Sequence, residues 1–190
     1  MSQFTIHQTA TAPEGSHAIL NGVQQAWGFV PNLHNVLAES PQALEAYAAT
    51  WALFDKTAFS PVERNIVYLA IIFENECTYC MAGHSGLSKM AGVKDAHIAA
   101  IRNGTPIDDS KLEALRQFAQ KVTRQRGRLS DADTAAFLAA GYDNRAILDV
   151  ILAAAVKLIS NYTNHFANTP LDAFMAGNEW TPPSAIAQAA

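Results

Sequence analysis

At 190 residues the chain fits one domain and can bury roughly 70% of the surface its unfolded form exposes, so no covalent staple is needed to hold it together. Hydrophobic residues make up 49% and charged residues 16%, which excludes a disordered composition, and a net charge of -4 leaves no basic footprint for nucleic acid. The start, MSQFTIHQTA, lacks the pattern of a signal peptide, and the longest apolar run, Val150 to Val156, is too short to cross a bilayer. The expectation is a cytoplasmic protein with neither nucleic acid nor membrane as partner.

Apolar residues recur with period 3.6 nearly everywhere, and no alternating stretch stands between hairpin turns, so the chain reads as all-α. Helices are expected over Ser16 to Ala26, Leu33 to Glu39, Pro41 to Asp55, Pro61 to Asn75, Thr78 to Met90, Lys94 to Arg102, Ser110 to Arg126, Asp131 to Ala139 and Asn144 to Asn164. Ser60-Pro61-Val62-Glu63 is a helix start in which Ser60 caps and Glu63 closes a capping box, which gives Glu63 a structural role first. The helices after Pro61 and Asn144 are apolar on most sides and read as central. Lys121, Arg124, Arg126 and Arg128 sit where cations favour the negative end of a helix dipole. No linker or repeat divides residues 1–190, and the tail after Trp180 is expected to be mobile.

The chemistry lies in ENECTYCMAGHS, residues 74–85, which holds both cysteines of the chain. Cys80 and His84, four apart on a helix, share a face, so a base stands one turn from a thiol. Cys77 falls at the helix start, where the positive end of the dipole stabilises a thiolate, provided that the preceding helix breaks near Asn75, a residue that tolerates left-handed backbone. Lowering a thiol from about 8.5 to about 7 raises the thiolate roughly 15-fold at neutral pH, of which lost nucleophilicity returns about 5-fold. Positioned proton transfer contributes about a hundredfold to ten-thousandfold, so His84 is worth more as a proton carrier than as a charge.

Other readings of the same residues stay open. A structural zinc wants four ligands and Cys77, Cys80 and His84 supply three. Buried inert cysteines are a second alternative, and a non-enzymatic redox or metal-responsive dithiol module a third. A c-type haem needs a histidine where Met81 stands, and thioredoxin-like chemistry needs a βαβ unit.

Glu74-Asn75-Glu76-Cys77-Thr78-Tyr79-Cys80 followed by His84, after the Ser60-Pro61-Val62-Glu63-Arg64 helix start, resembles the core of the AhpD-like alkyl hydroperoxidases of the carboxymuconolactone decarboxylase superfamily. Phe29-Val30-Pro31-Asn32, Ser160-Asn161-Tyr162-Thr163-Asn164-His165 and Thr169-Pro170-Leu171-Asp172 extend the likeness to its peroxidase-related branch over nearly the whole chain. The resemblance implies an AhpD-like helical fold assembled into homotrimers or hexamers. It also implies a peroxidase with no bound cofactor or metal, in which Cys80 attacks the peroxide, Cys77 resolves it, and an external dithiol or thiol protein restores the pair. Helix position alone favours Cys77 as the more acidic thiol; the family order and His84 favour Cys80.

Two departures bear on mechanism. The family's relay glutamate falls at Asn65, and Glu74 is the nearest replacement, so Glu74 joins Cys77, Cys80 and His84 as an expected catalytic residue. Glu76 stands where the family commonly has glycine, and its charge would oppose a thiolate. Tyr79, at a position that is histidine in some relatives, reads as packing or acid, and Asn161 and His165 share a face that could border the site. The lactone decarboxylase branch, which needs no cysteine pair, fits less well.

Overall fold

A computed structural model describes residues 4–189; the first three residues of the N-terminal stretch and the last residue of the tail, both considered above, lie outside them. In chain order the helices are α1, His17–Trp27; α2, Asn32–Leu37; α3, Pro41–Phe54; α4, Pro61–Glu74; and α5, Thr78–Met90. They continue as α6, Asp95–Arg102; α7, Ser110–Arg124; α8, Asp131–Ala139; α9, Asn144–Ala167; and α10, Pro183–Ala189. No strand occurs among the described residues. The tail expected to be mobile therefore contains α10.

Helix α4 is the axis of the arrangement, with α5, α6, α7 and α9 packed on it and α3 against α9. Its start is the capping box read from the sequence: Ser60 Oγ accepts from the Glu63 N–H at 3.2 Å and Glu63 Oε2 accepts from the Ser60 N–H at 2.9 Å. From Ile66 to Ile72 every side chain is buried. Each fully buried aliphatic contributes about 1.5–3 kcal/mol, so this one helix supplies much of what orders its neighbours.

Helix α9 runs to Ala167 because Asn168, at φ 47°, provides a left-handed cap there. Reading only contiguous apolar residues passed over the fact that this helix, with mean hydropathy 1.5, is long and apolar enough by length and composition to cross a membrane. Its inward face, however, turns Lys157, Ser160, Asn161 and Asn164 into the protein. Those four polar groups give this helix an inner side that carries chemistry.

The break between α4 and α5 positions the cysteines. Asn75 stays in the right-handed region at φ -83°, and Glu76 takes the left-handed conformation, φ 53°, that had been expected of Asn75. The Cys77 N–H donates to the Ile72 carbonyl at 3.3 Å and the Glu76 N–H to that of Phe73 at 3.1 Å, closing a Schellman motif. This requires positive φ one residue after the cap, hence at Glu76, and explains why glycine suits the position. Cys77 is thereby both the residue that ends one helix and the N-cap of the next.

The segment after Pro170 folds back over α5 and α6. Asp172 accepts from the Asn32 N–H at 3.1 Å and from the Tyr79 hydroxyl, while Arg102 donates to Ser85 Oγ at 2.7 Å and to the carbonyls of Asn178 and Glu179 at 3.1 and 2.7 Å. Met175 lies so close on α5 that a Cβ at Gly83 would come within 2.9 Å of its methyl carbon.

Candidate active site

Cys77 and Cys80 are free thiols, both buried, the first at the N-cap of α5 and the second in its first turn. One amide nitrogen, Asn164 Nδ2 from α9, donates to Cys80 Sγ at 3.2 Å and stands 4.0 Å from Cys77 Sγ. Burial pushes the Cys80 thiol up, but a hydrogen bond from Cys77, the charge of Lys157 and the amides of Asn164 and Asn161 outweigh it and bring Cys80 down to about 6. Cys77 is held well above the ordinary thiol value, first because it donates to Cys80 and then by burial. Cys80 is thus the thiol favoured for ionisation, having the Asn164 amide at 3.2 Å and Lys157 in the same cavity wall, whereas helix position alone suggested Cys77.

His84 is buried one turn on from Cys80, and Lys157 Nζ donates to its Nε2 at 2.7 Å. Because the ammonium can only donate, His84 Nε2 accepts, and the ring carries its proton on Nδ1, which has no partner. Burial, and then the Lys157 charge, hold His84 well below the ordinary imidazole value, so the ring is neutral. Lys157 lies over the rings of Tyr68, at 4.2 Å from the centroid, and Trp51, at 4.9 Å. Burial pulls this lysine down to about 8, with the charge of the cysteines opposing.

The remaining expected residues fall elsewhere. The Glu74 carboxylate is gripped by Arg124 Nη2 and Nε at 2.7 and 2.9 Å, and its contacts do not reach His84. Asn65 donates to the Pro61 carbonyl at 2.9 Å and accepts from Ser88 Oγ at 3.2 Å, a turn beyond His84. Glu63 completes its cap and accepts from the Tyr142 hydroxyl at 3.1 Å. Glu76 points outward, where its charge acts on His165. Tyr79 accepts from the Leu33 N–H at 3.2 Å and donates to Asp172, which makes it a clasp between α2, α5 and the returning segment. Asn161, wholly buried, accepts from Asn75 Nδ2 at 2.9 Å; its own Nδ2 makes no hydrogen bond but adds to the field at Cys80. His165 is exposed beside Cys77. Among the described residues no group of three or more His, Cys, Asp or Glu is arranged to hold a metal ion.

Sequence reasoning missed Lys157 and Asn164. The signal was a single lysine inside ILAAAVKLIS, an otherwise apolar run on a helix read as buried. A charge there must either face solvent or serve a site. Asn164 was visible one turn after Asn161 and Ser160 on the same face.

Two openings reach the thiols. A narrow cavity has Cys80, His84 and Lys157 in its wall and is otherwise lined by rings, among them Trp27, Tyr47, Trp51 and Phe174, and by the apolar chains of Leu33, Leu87 and Met175. A polar cleft on Cys77 is bounded by Thr78, Asn164, His165, Asn168 and Thr169. Cys80 is thus faced by an apolar opening and Cys77 by a polar one.

Residues 39–121 match the model of the carboxymuconolactone decarboxylase family. Of the solved structures, an AhpD-core, uncharacterized peroxidase-related protein from Ralstonia eutropha JMP134 superposes with a TM-score of 0.80 at 23% identity, over 92% of this chain and 94% of that one. An uncharacterized peroxidase-related protein from Silicibacter sp. TM1040 gives 0.77 at 19% identity, over 92% and 93%. The debrominase Bmp8, a cysteine-to-alanine variant in complex with 2,3,4-tribromopyrrole, gives 0.75 at 17% identity, over 94% and 96%. No curated protein matches. The likeness to an AhpD-like all-α fold read from the sequence is borne out.

Proposed function

From a chain that carries the carboxymuconolactone decarboxylase family segment in an AhpD-like fold, we propose a thiol-dependent peroxidase that reduces hydrogen or alkyl hydroperoxides through a Cys77/Cys80 dithiol–disulfide cycle. The observation that carries the reading is the placement of two buried free thiols three residues apart, with Asn164 Nδ2 donating to Cys80 Sγ at 3.2 Å and with His84 and Lys157 beside Cys80 in one cavity wall. Cys80 Sγ attacks the peroxide oxygen; an S–O bond forms, the O–O bond breaks, and the alcohol departs with a proton. The Cys77 thiol then attacks the sulfenic sulfur, water leaves, and the disulfide forms.

An external dithiol or thiol protein, entering by the polar cleft, attacks Cys77, and Cys80 leaves as the better-stabilised thiolate. Such a cycle belongs in a reducing compartment, the cytoplasm, and in a homo-oligomer. In the test, purified protein is given peroxide and dithiol. Cys80→Ser should lose consumption, while Cys77→Ser should complete one turnover and leave a trappable sulfenic acid at Cys80. Retained consumption in Cys80→Ser, with the acid trapped at Cys77, reverses the assignment.

The ring-faced cavity favours a second reading, reductive dehalogenation, since one similar structure is a debrominase with a bromopyrrole bound. The same dithiol would supply two electrons and two protons: the ring carbon gains one proton as a C–H bond in place of C–Br, bromide leaves, the other proton is released, and the pair ends as the disulfide. Bromide release from a brominated pyrrole in the presence of dithiol, without peroxide turnover, would select it.

A further inference from the structure

We propose that Lys157 is the charge partner of the Cys80 thiolate and the donor of the proton that leaves with the product, so that the reacting centre is Cys80, Lys157 and His84 with no carboxylate relay. The proton-donor half rests on the peroxidase reading; the charge-pair half does not.

Lys157 carries a charge in a place that demands a partner. Lys157 is 1% exposed, and among the described residues no carboxylate pairs with it. An isolated buried ammonium costs several kcal/mol, of which one hydrogen bond to an imidazole and two ring faces return only part. The titratable groups packed around it are Tyr47 from α3, Tyr68 from α4, and Cys77, Cys80 and His84 from α5. Both tyrosines are pushed up by burial and stay neutral, as does His84, and Cys77 keeps its proton. Cys80 is the group whose surroundings suit the opposing charge: it shares the cavity wall with Lys157, and the Asn164 amide donates to its Sγ at 3.2 Å, against 4.0 Å to Cys77.

The resting state is then Cys80–S⁻ with Lys157–NH₃⁺ and Cys77–SH. With a peroxide ROOH it yields the disulfide, ROH, water and a neutral Lys157 amine, which balances in atoms and charge. The proton reaches the departing oxygen either directly from Nζ or through His84, whose Nε2 receives it while the unpartnered Nδ1–H gives up its own. On reduction the dithiol returns both the electrons and the proton. The family carboxylate that Asn65 replaces is thus not needed, because the proton is stored on the lysine.

Two measurements test this. Thiolate absorbance against pH reads the charge pair without any turnover: in Lys157→Met, made in a Cys77→Ser background, the Cys80 midpoint should rise by at least one unit, tenfold less thiolate at a fixed pH below it. Peroxide consumption reads the donor: with Cys77 intact, Lys157→Met should fall about a hundredfold or more and be partly rescued by small alkylamines, while Lys157→Arg should keep the thiolate and lose the rate, because a guanidinium does not give up its proton. If Lys157→Met does not fold, the reciprocal is available in Cys80→Ser, where the Lys157 midpoint, followed by carbon NMR of the lysine Cε, should drop by at least one unit. An unmoved Cys80 midpoint in folded Lys157→Met, or an unmoved Lys157 midpoint in Cys80→Ser, overturns the pair; a wild-type rate in Lys157→Met overturns the donor. A wild-type protein that consumes no peroxide while the midpoints shift removes the peroxidase reading and the donor role and leaves the charge pair standing.

Discussion

Arg124 holds the Glu74 carboxylate with two hydrogen bonds, at 2.7 and 2.9 Å, and so ties α7 to the end of α4. A carboxylate committed to a guanidinium in this way is poor at exchanging protons with an imidazole on another helix. Glu74→Gln is therefore expected to consume peroxide within about twofold of the wild-type rate, well short of the hundredfold that a lost proton carrier costs. Arg124 is mostly exposed, so the stability cost should be within about 1 kcal/mol. A Glu74→Gln protein with an intact fold and a rate down a hundredfold would return the relay to Glu74.

Glu76 bears a different kind of strain. At φ 53° a non-glycine residue costs about 1–2 kcal/mol, offset in part by the about 0.5–1 kcal/mol of chain entropy that glycine would lose on folding. Glu76→Gly should raise stability by up to about 1 kcal/mol, or Tm by about 1–4 °C, with the Schellman motif intact. Because Glu76 is exposed and its charge acts on His165, the Cys80 titration should hardly move. A lower Tm in thermal unfolding would mean that the side chain does more than tolerate its backbone.

The stability of the fold at acid pH follows from its buried histidines. His34, packed edge-on between Trp27 and Tyr47, is pulled by burial to about 4. Since its folded value lies below the unfolded one, the unfolded chain binds the proton first, and stability present above about 6.5 is lost as pH falls toward 4. From one group shifted this far the loss is about 3 kcal/mol, and His84, depressed by the same cause, adds to it. In urea unfolding at a series of pH values, His34→Gln should flatten the decline between those limits; an unchanged slope would mean that other groups carry it.

Most of the helix boundaries were legible because caps and periodicity are local. The Ser60 box and the start and end of α5 depend on residues a few positions apart. The cysteine–histidine spacing was legible for the same reason. What stayed hidden depends on contacts between distant segments: that Arg124 would take Glu74, that Asn164 would come to Cys80 from α9, and that Lys157 would meet His84 across a separation of 73 residues. The identity of the strained residue was also misplaced, since propensity favours Asn75 for left-handed backbone but the hydrogen bonds from Cys77 and Glu76 fix the position one residue later.

The last prediction concerns the outer face of α9. The apolar character of α4 is used up inside the chain, where Ile66 to Ile72 are buried by neighbouring helices. Helix α9 is different: Leu148, Ile151, Ala155, Leu158, Tyr162 and Phe166 recur every three or four residues on one face, with Leu148 66% and Phe166 77% exposed. Burying a large apolar side chain is worth about 1.5–3 kcal/mol, so copies of this row gathered around a shared symmetry axis would favour a stable assembly. Light scattering at micromolar concentration should give a trimer or hexamer of the 20.5 kDa chain. Leu158→Glu should shift the mass toward the monomer, because a charge in the middle of the row has no partner and cannot be buried cheaply. Leu158 points away from the site while its neighbour Lys157 points in, so the thiolate titration of the variant separates assembly from chemistry. A wild-type monomer at that concentration, or an oligomer indifferent to Leu158→Glu, would remove this face as the contact.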